Sequence, residues 1–419
     1  MEIEEIIKNK DSDQITAVIG CGWVGMLTGG ILAHKNRTRD YVFIDVDKER
    51  LEKIINKEEL IYEPSFYTIF NPLYKLSEKT EYGYKSHGNI IGFTNNYEIL
   101  KYCNIIYISV NTPDKHGSCD LSYLLSTVEG INKYAPKSAA IVIKSTVEVG
   151  TTAFLEREKL RKDLHVFNIP EFLAEGEAIN ELLKPQRIVI GYTDKDKEGF
   201  DIVKQRIIYE LTEAGTTNSP VILTDSNTSE LIKLSSNFML AQRVATINAI
   251  EALAKEKGAN IMDISHAVGL DKRIGDKFLL PSAGFGGSCF RKDINNISNI
   301  CSNEHYKAYF KSVNNINDYH MQQVAEQIGE NKNILFLGYG FKENTNDTRE
   351  SPTQFIINCL PYSVKFDIYD IHINPYTEKP TDLNKYDYIL LMLNEQEYKD
   401  IAAMCDKTKI INPRYINIE

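Results

Sequence analysis

The chain has 419 residues, of which 42% are hydrophobic and 25% charged, and its formal net charge at pH 7 is −10. This composition excludes a mostly disordered chain, a collagen-like repeat and a small disulfide-stapled protein, and the length favours two to three domains. The negative charge disfavours nucleic acid and anionic membranes as main partners, although a local pocket can still be positive enough to hold an anionic ligand.

The seven cysteines form no CxxC pair, and their spacing suits no zinc site. We therefore expect reduced thiols and no metal. Residues 1–14 are charged and contain no apolar core of a signal peptide. The most apolar long stretch, 17–33, contains five glycines and is too short for a membrane helix. These features predict a cytoplasmic protein with no membrane partner.

Short apolar runs separated by helical patterns predict a parallel doubly wound sheet in the first half of the chain. Each run is bounded by turn residues, as expected for a buried strand. The predicted strands are 15–19, 41–45, 105–110, 140–144, 165–169 and 187–191.

Residues 227–257 contain neither proline nor glycine and carry apolar side chains at helical spacing, so they predict one helix that ends at Gly258. A helix of roughly thirty residues is long against the usual mean of about 11–12. Its row of small residues favours close helix approach and a homodimer or higher homo-oligomer. The row consists of Ala241, Ala245, Ala249 and Ala252.

The α/β pattern begins again after this helical middle. Strands are predicted at 333–337, 364–369, 388–393 and 409–411, with a helix near 353–360. The predicted fold class is therefore α/β, with two Rossmann-like parallel-sheet domains joined by a helical domain with a long central helix. The predicted domains are 1–212, 213–325 and 326–419.

Gly20, Gly22 and Gly25 form a GxGxxG motif directly after the first predicted strand. In a dinucleotide site the first glycine makes the tight turn, the second lets the backbone approach the pyrophosphate, and the third allows close helix–strand packing. Asp45, at the end of the next strand, would bind a ribose hydroxyl and repel a 2′-phosphate, which favours NAD over NADP. The alternative is a Rossmann-like sheet with a vestigial site.

Cys289 lies beside a run of glycines and four residues before Asp293. Backbone N–H groups around such a thiol can activate it and receive an oxyanion. Lys233 and Asn237 are also four residues apart, so both can point to one side of the long helix. The alternatives are a packed thiol and a solvated helix lysine.

Two carboxylates four residues apart, Glu171 and Glu175, follow the predicted strand 165–169. Paired carboxylates at a sheet edge suit acid–base chemistry. They are equally ordinary as charges at a helix N-terminus.

Seven segments resemble, in order and over nearly the whole chain, motifs of the UDP-glucose/GDP-mannose dehydrogenase family. They are the nucleotide loop at 20–25, IYEP at 61–64, NTP at 111–113 with DLSY at 120–123, KSTVEVGTT at 144–152, PEFLAEG at 170–176, GFGGSCFRKD at 284–293, and LGYGFK at 337–342 with NDTRES at 346–351.

The resemblance implies an NAD-dependent enzyme that oxidises the C6 alcohol of a nucleotide sugar to a carboxylate, using two NAD in turn. Residues 240–250 and 271–278, with Phe290 and Arg291 after the cysteine, favour UDP-glucose as the substrate. The alternatives are GDP-mannose, a UDP-N-acetylhexosamine, or a non-catalytic nucleotide-sugar sensor. The implied domains are NAD-binding (1–212), helical and dimerising (213–325), and UDP-sugar-binding (326–419).

The resemblance also implies a role for individual residues. Cys289 is the covalent nucleophile, Glu171 activates the hydrolytic water, and Arg273 comes from a neighbouring subunit. The implied catalytic residues are Cys289, Lys233, Asp293, Glu171, Asn237 and Thr146. Cofactor contacts are implied for Gly20, Gly22, Trp23, Val24, Gly25, Asp45, Arg50, Thr112, Thr146, Glu175 and Arg349. Substrate contacts are implied for Glu171, Phe172, Leu173, Lys233, Asn237, Arg273, Phe278, Phe285, Gly286, Lys342 and Arg414.

Overall fold

The computed structural model describes residues 15–418, except 37, 57, 59–61, 67–77, 81–82, 86–89, 116, 196 and 213–218. The predictions made for 1–14, for Ile61 and for the domain boundary at 213 therefore lie outside the described residues. The chain divides into two compact units, Met1–Lys233 and Leu234–Glu419.

A ten-stranded sheet forms the centre of the first unit, and a short hairpin of β7 and β8 lies apart from it. The strands are β1 (Ile15–Ile19), β2 (Asp40–Ile44), β3 (Glu78–Thr80), β4 (Gly83–Lys85), β5 (Ile90–Thr94), β6 (Ile105–Ile108), β7 (Asp114–Lys115), β8 (Ser118–Cys119), β9 (Ala140–Ile143), β10 (His165–Asn168), β11 (Ile188–Tyr192) and β12 (Val221–Asp225).

The strand order is β12-β11-β10-β9-β6-β1-β2-β5-β4-β3. The run from β10 to β5 is parallel throughout, and the chain order reverses between β1 and β6. This is the Rossmann order, in which ligands bind at the carboxyl ends of the strands beside the reversal. The predicted α/β fold class is confirmed.

The parallel sheet that the sequence predicts is present at the centre, and antiparallel strands are added at its margins. β11 runs antiparallel to β10, and β3 and β4 form an antiparallel edge. The connection between β10 and β11 contains only the six-residue helix Ala178–Leu183. This short connection does not carry the chain back to the end of the sheet where β10 begins, so β11 runs antiparallel to β10.

Helices cover both faces of this sheet, because its central strands are apolar on both sides. They are α1 (Trp23–Lys35), α2 (Lys48–Ile55), α3 (Ser122–Tyr134), α4 (Thr151–Phe154), which continues as a π-helical turn (Leu155–Lys159), α5 (Ala178–Leu183) and α6 (Phe200–Thr212).

The predicted long helix is present as α7 (Ser226–Lys257) and stops at Gly258, whose φ is +66°. Two of its small residues, Ala241 and Ala245, are buried against Phe285 and Ile294 of the same chain. Their small size therefore serves the chain's own core. Ala249 and Ala252 are exposed.

The second unit contains three further helices and then a four-stranded sheet with the order β14-β13-β15-β16, parallel throughout. Its elements after α7 are α8 (Ile261–Gly269), α9 (Phe290–Ile300), α10 (Glu304–Glu326), β13 (Asn333–Leu337), α11 (Pro352–Cys359), β14 (Lys365–Tyr369), β15 (Tyr388–Leu391), α12 (Gln396–Ala403) and β16 (Ile410–Ile411). No helix within the described ranges is long and apolar enough to cross a membrane.

A buried carboxylate ties α6 to three strands of the first sheet. Glu210 accepts hydrogen bonds from Thr16 Oγ1 at 2.7 Å and from the hydroxyls of Tyr41 and Tyr107, each at 3.1 Å. Burial raises the pKa of Glu210, and Arg39 opposes that rise. These bonds satisfy three hydroxyls that would otherwise be buried without an acceptor.

Glu210→Ala should lower the free energy of unfolding by about 3 kcal/mol or more, because each buried hydroxyl left unsatisfied costs about 1–3 kcal/mol. Urea denaturation measures the change. Glu98→Ala is the control: Glu98 is exposed and accepts from Tyr134 at 3.5 Å, so its loss should cost less than about 0.5 kcal/mol. Similar losses for the two variants would contradict the role given to Glu210.

Candidate active site

The predicted glycine loop joins β1 to α1 at the carboxyl edge of the sheet. Gly20 has a φ of +96°, and a Cβ on it would lie 2.6 Å from the carbonyl oxygen of Ser109. A Cβ on Gly25 would lie 1.9 Å from the carbonyl oxygen of Gly20. No other residue fits either position, so the tight turn and the close packing of α1 both depend on glycine.

The start of α1 fits a dinucleotide phosphate. A Cβ on Gly22 would meet no atom within 4 Å, so there is open space above the first turn. The first N–H groups of a helix have no partner within it and favour an anion. Trp23 and Val24, the first residues of α1, are partly buried. The buried indole N–H of Trp23 has no hydrogen-bond partner among the residues that the structure describes.

Asp45 lies at the carboxyl end of β2, beside the glycine loop. Its Oδ2 accepts from the backbone N–H of Cys21 at 2.7 Å, and its Oδ1 accepts from that of Asp47 at 3.0 Å. The guanidinium of Arg50 lies 3.5 Å from Oδ2. Backbone N–H groups therefore hold the Asp45 carboxylate beside the glycine loop, and the Arg50 guanidinium lies close to that carboxylate.

Two predicted threonines meet across neighbouring strand ends. Thr112, after β6, donates from Oγ1 to the carbonyl oxygen of Thr146, after β9, at 2.6 Å. Ser145 Oγ donates to the carbonyl oxygen of Val110 at 2.7 Å. The structure thus brings Thr112 and Thr146 together at the carboxyl edge that also carries the glycine loop.

Glu171, Lys233 and Lys144 form a buried charged cluster within the first unit. The side chains of Glu171 and Lys233 are 9% and 5% exposed, and Lys233 Nζ lies 3.4 Å from Glu171 Oε1. Glu171 Oε2 accepts from the backbone N–H of Leu173 at 2.7 Å. Burial raises the pKa of Glu171, but Lys233, the Leu173 N–H and Lys144 together lower it below its ordinary value.

The start of α7 brings Lys233 to this cluster. Ser229, one helical turn before Lys233, donates to the Asn168 side chain at the end of β10 at 2.8 Å. A Cβ on Gly191 would lie 2.4 Å from Cβ of Ser229, so this approach of the helix requires glycine on β11. Glu171 follows Asn168 by three residues.

Two carboxylates that were not predicted as site residues hold the loops around the cluster. Glu63 accepts from the backbone N–H groups of Gly176 and Ala178, at 2.9 and 2.8 Å, and so fixes the segment after Glu171. Glu230 accepts from Gly150 N and from Thr152 N and Oγ1, at 2.6 to 2.8 Å. Glu63 lies in the segment 61–64, which resembles a family motif, so the sequence offered a signal for it. No sequence pattern singles out Glu230.

The remaining predicted residues of this segment are partly buried. The ring of Phe172 lies 4.0 Å from Arg187 Cζ and 5.7 Å from Lys233 Nζ, measured to the ring centroid. Leu173 packs against the core of the unit, and Glu175 is partly buried. Phe172 therefore lies beside the ammonium of Lys233.

In the second unit, Cys289 is an exposed thiol at the N-cap of α9. Its backbone oxygen accepts from the N–H of Asp293 at 2.9 Å, and Ser288 Oγ lies 3.7 Å from its sulfur. Asp293 is 1% exposed, and its Oδ2 accepts from Asn237 Nδ2 at 2.6 Å. A residue of the long helix is thus bonded directly to a residue of the cysteine segment.

The glycine run before Cys289 is fixed from both sides. Asn317 accepts from Phe285 N at 2.8 Å and donates to its carbonyl oxygen at 3.0 Å. Gly287 N donates to the carbonyl oxygen of Arg349 at 3.0 Å, which brings the predicted Arg349 and Gly286 into one neighbourhood. The guanidinium of Arg349 pairs with Asp347.

Two predicted substrate residues lie on the surface of the second unit. The side chain of Arg273 is 89% exposed and pairs with Asp271. Phe278 is 44% exposed and has a φ of +58°. Neither is brought to Cys289 by any contact described within this chain.

The last two predicted residues follow strands of the smaller sheet, Lys342 after β13 and Arg414 after β16. Arg414 NH1 lies 2.8 Å from Glu343 Oε1 and donates to the carbonyl oxygen of Met392 at 3.2 Å. Lys342 is partly buried. Asp370, after β14, accepts from the backbone N–H of Tyr339 at 2.6 Å, much as Asp45 does at the first sheet.

Three domain models of one family match the chain. They are described as the NAD binding domain, at residues 14–212, the central domain, at 227–319, and the UDP binding domain, at 335–416, of the UDP-glucose/GDP-mannose dehydrogenase family. The chain belongs to the UDP-glucose/GDP-mannose dehydrogenase family. Its glycine loop, Thr112 and Glu171 lie in the match to the NAD binding domain, so the chain is an NAD-dependent dehydrogenase by family.

Named relatives agree with this assignment. The chain is 34% identical over 379 residues to UDP-glucose 6-dehydrogenase of Drosophila melanogaster, covering 85% of this chain and 76% of the relative. It is 32% identical to UDP-glucose 6-dehydrogenase 3 of Arabidopsis thaliana, covering 88% and 78%. A UDP-glucose dehydrogenase structure from Pyrobaculum islandicum aligns with a TM-score of 0.81 at 25% identity, covering 97% of this chain and 95% of the other.

Proposed function

We propose that this dehydrogenase oxidises the C6 alcohol of UDP-glucose to the carboxylate of UDP-glucuronate. The observation that carries the proposal is the exposed thiol of Cys289, one helical turn before the buried Asp293 that bonds to Asn237, in a chain similar to named UDP-glucose 6-dehydrogenases. A protein that only senses a nucleotide sugar needs no nucleophile. NADH formation with UDP-glucose, UDP-GlcNAc, UDP-galactose and GDP-mannose, measured side by side, tests the substrate.

Two NAD⁺ molecules, bound one after the other, would each accept one hydride, one in each oxidation. The first oxidation removes a hydride from C6 and the hydroxyl proton, leaving an aldehyde. The sulfur of Cys289 then forms a bond to the aldehyde carbon while the thiol proton passes to the aldehyde oxygen, giving a thiohemiacetal. Loss of a second hydride and of the hydroxyl proton leaves a thioester. Water adds to the thioester carbon, and the C–S bond breaks to release the carboxylate and the thiol. Lys233, Asp293 and Asn237 would manage the alcohol proton and orient the sugar oxygen.

Glu171 would take a proton from the hydrolytic water, with Thr146 helping to place that water. The lowered pKa of Glu171 supports this role, because the group is ionised at neutral pH and can accept a proton. Gly22 and Asp45 would hold the NAD diphosphate and ribose, and Asp45 would repel the 2′-phosphate of NADP. The other cofactor residues proposed are Gly20, Trp23, Val24, Gly25, Arg50, Thr112, Glu175 and Arg349.

The nucleotide sugar carries two phosphate charges, so its site needs cations in an otherwise acidic protein. Arg273, Lys342 and Arg414 would supply them, with Arg273 acting on the substrate of a second copy. Its 89% exposed side chain supports that assignment. The remaining substrate contacts proposed are Phe172, Leu173, Phe278, Phe285 and Gly286.

We also propose a homodimer or higher homo-oligomer in the cytoplasm. Met239 and Leu253 on α7 are more than half exposed, which supports association through this helix. The seven cysteines, all within the described ranges, form no disulfide, as suits a reducing compartment. The domain division 1–212, 213–325 and 326–419 is proposed with it. Light scattering that gives the mass of one chain at micromolar concentration would contradict the oligomer.

Cys289→Ser should abolish steady-state formation of UDP-glucuronate while substrate and NAD still bind. Serine has nearly the same shape, but its hydroxyl is a far weaker nucleophile than a thiol near neutral pH. Steady-state NADH formation and calorimetric binding measure the two effects. Cys359→Ser, at another exposed thiol, should keep normal turnover. Normal turnover in Cys289→Ser would end the covalent mechanism.

Glu171→Gln should allow the thioester to form and slow its hydrolysis, because the second oxidation needs no activated water. Acid-quenched intact mass should show the chain carrying the acyl group on Cys289. Glu156→Gln is the matched control, since Glu156 also pairs with a lysine of the first unit, Lys197, at 3.2 Å. The control should accumulate no adduct. The role given to Glu171 is wrong if Glu171→Gln accumulates none either.

A further inference from the structure

Lys144 is a buried ammonium that the proposed mechanism does not use. It is 6% exposed and lies directly after β9, in the segment that also carries Thr146. Burial lowers its pKa to about 8, the charge of Glu171 opposes this effect, and Lys233 adds to it. Lys144, Glu171 and Lys233 therefore form one cluster with two cations and one carboxylate.

The parallel pairing of β9 and β10 fixes the place of Lys144 relative to Glu171. Ile143, the last residue of β9, is in register with Asn168, the last residue of β10. Beyond these residues the strands stay joined, since Ile169 N donates to the carbonyl oxygen of Ile143 at 3.0 Å. Lys144 N donates to the carbonyl oxygen of Ile108 at 2.9 Å, which holds it to β6 as well. Lys144 therefore leaves a rigid strand end beside the segment that leads to Glu171.

Stability alone does not account for Lys144. A buried ammonium loses its hydration, and an apolar side chain of similar volume at the same place would lose none. Glu171 is already paired with Lys233 and bonded to the N–H of Leu173. A second ammonium therefore adds a destabilising charge to a carboxylate that is already compensated. Its effect is to favour the ionised form of that carboxylate further.

We propose that Lys144 is a positioning residue that keeps Glu171 ionised for thioester hydrolysis, together with Lys233. This inference rests on the proposed role of Glu171. Two ammonium groups hold the carboxylate in its charged form even though it is buried. A proton on Glu171 would remove the negative charge that it places beside both ammonium groups, which opposes its protonation. The groups that face Lys144 and act on its titration are Glu171 and Lys233.

The rate of thioester hydrolysis in a single turnover, followed by acid quench and intact mass between pH 5 and 9, tests the proposal. In Lys144→Met the pH below which hydrolysis slows should rise by about 1 unit or more, because an opposite charge nearby lowers a carboxyl pKa by about 1–3. Below that pH hydrolysis should be about tenfold slower than in the unaltered enzyme. The KM for UDP-glucose should change less than about twofold.

Lys144→Arg should restore the pH profile, because it keeps the charge. Lys197→Met is the matched control: Lys197 and Glu156 are each 16% exposed and form an ion pair in the same unit, so this variant tests the loss of a largely buried, paired lysine as such. It should lower stability and leave the profile unmoved. An unmoved profile in Lys144→Met overturns the proposal. If Lys144→Met does not fold, Lys144→Gln takes its place with the same expected rise.

Infrared titration of the carboxylate band of Glu171 in the substrate-free enzyme separates this proposal from the mechanism on which it rests. The band of Glu171 is identified as the one that Glu171→Gln removes. The pH at the midpoint of its titration should rise in Lys144→Met. If the midpoint rises but Glu171→Gln never accumulates a thioester, the role of Glu171 in hydrolysis is wrong. If the thioester accumulates but the midpoint and the profile stay unmoved, only the role of Lys144 is wrong.

Discussion

The parallel pairing of β1, β6, β9 and β10 is the constraint on which the first unit depends. Parallel strands end at one edge of the sheet, so the residues that follow each strand become neighbours although they are far apart in sequence. The glycine loop follows β1, Thr112 follows β6, Lys144 and Thr146 follow β9, and Glu171 follows β10. A wrong order of strands would separate these groups even with every residue unchanged.

Buried carboxylates hold parts of the first unit together, and each is compensated by several hydrogen-bond donors rather than by one simple ion pair. Glu63 and Glu230 accept from backbone N–H groups of the loops that they fix. Glu210 accepts from three hydroxyls at the α6 side of the sheet. Such bonds offset the lost hydration of each charge, and they make the position of a loop depend on one side chain. The Glu171 cluster differs, since cations outnumber the carboxylate there.

The two sheets use the same device at their first strand ends. After β1, the backbone N–H of Cys21 donates to Asp45 at the end of β2; after β13, the N–H of Tyr339 donates to Asp370 at the end of β14. In each case an acid of the second strand holds the loop that follows the first strand. This loop lies beside the reversal of strand order, where α/β sheets bind nucleotides.

The fold class, the long helix and the identity of most candidate residues follow from sequence patterns alone. Buried strands and a helix free of proline and glycine have strong periodic patterns, and the GxGxxG motif has a fixed steric meaning at Gly20 and Gly25. Strand direction at β11 was misread, because a run of apolar residues has the same pattern in a parallel and an antiparallel strand.

Which charged side chains lie close together depends on the folded arrangement of the strands and loops. Glu63 reaches Gly176 across more than a hundred residues, and Lys144 reaches the Glu171 cluster through strand register, neither of which leaves a periodic trace in the chain. The small residues Ala241 and Ala245 likewise read as an interface from spacing alone, yet they are covered by Phe285 and Ile294 of the same chain. Local sequence patterns determine backbone conformation. Burial and charge pairing depend instead on contacts between residues far apart in the sequence, and no local pattern reveals those contacts.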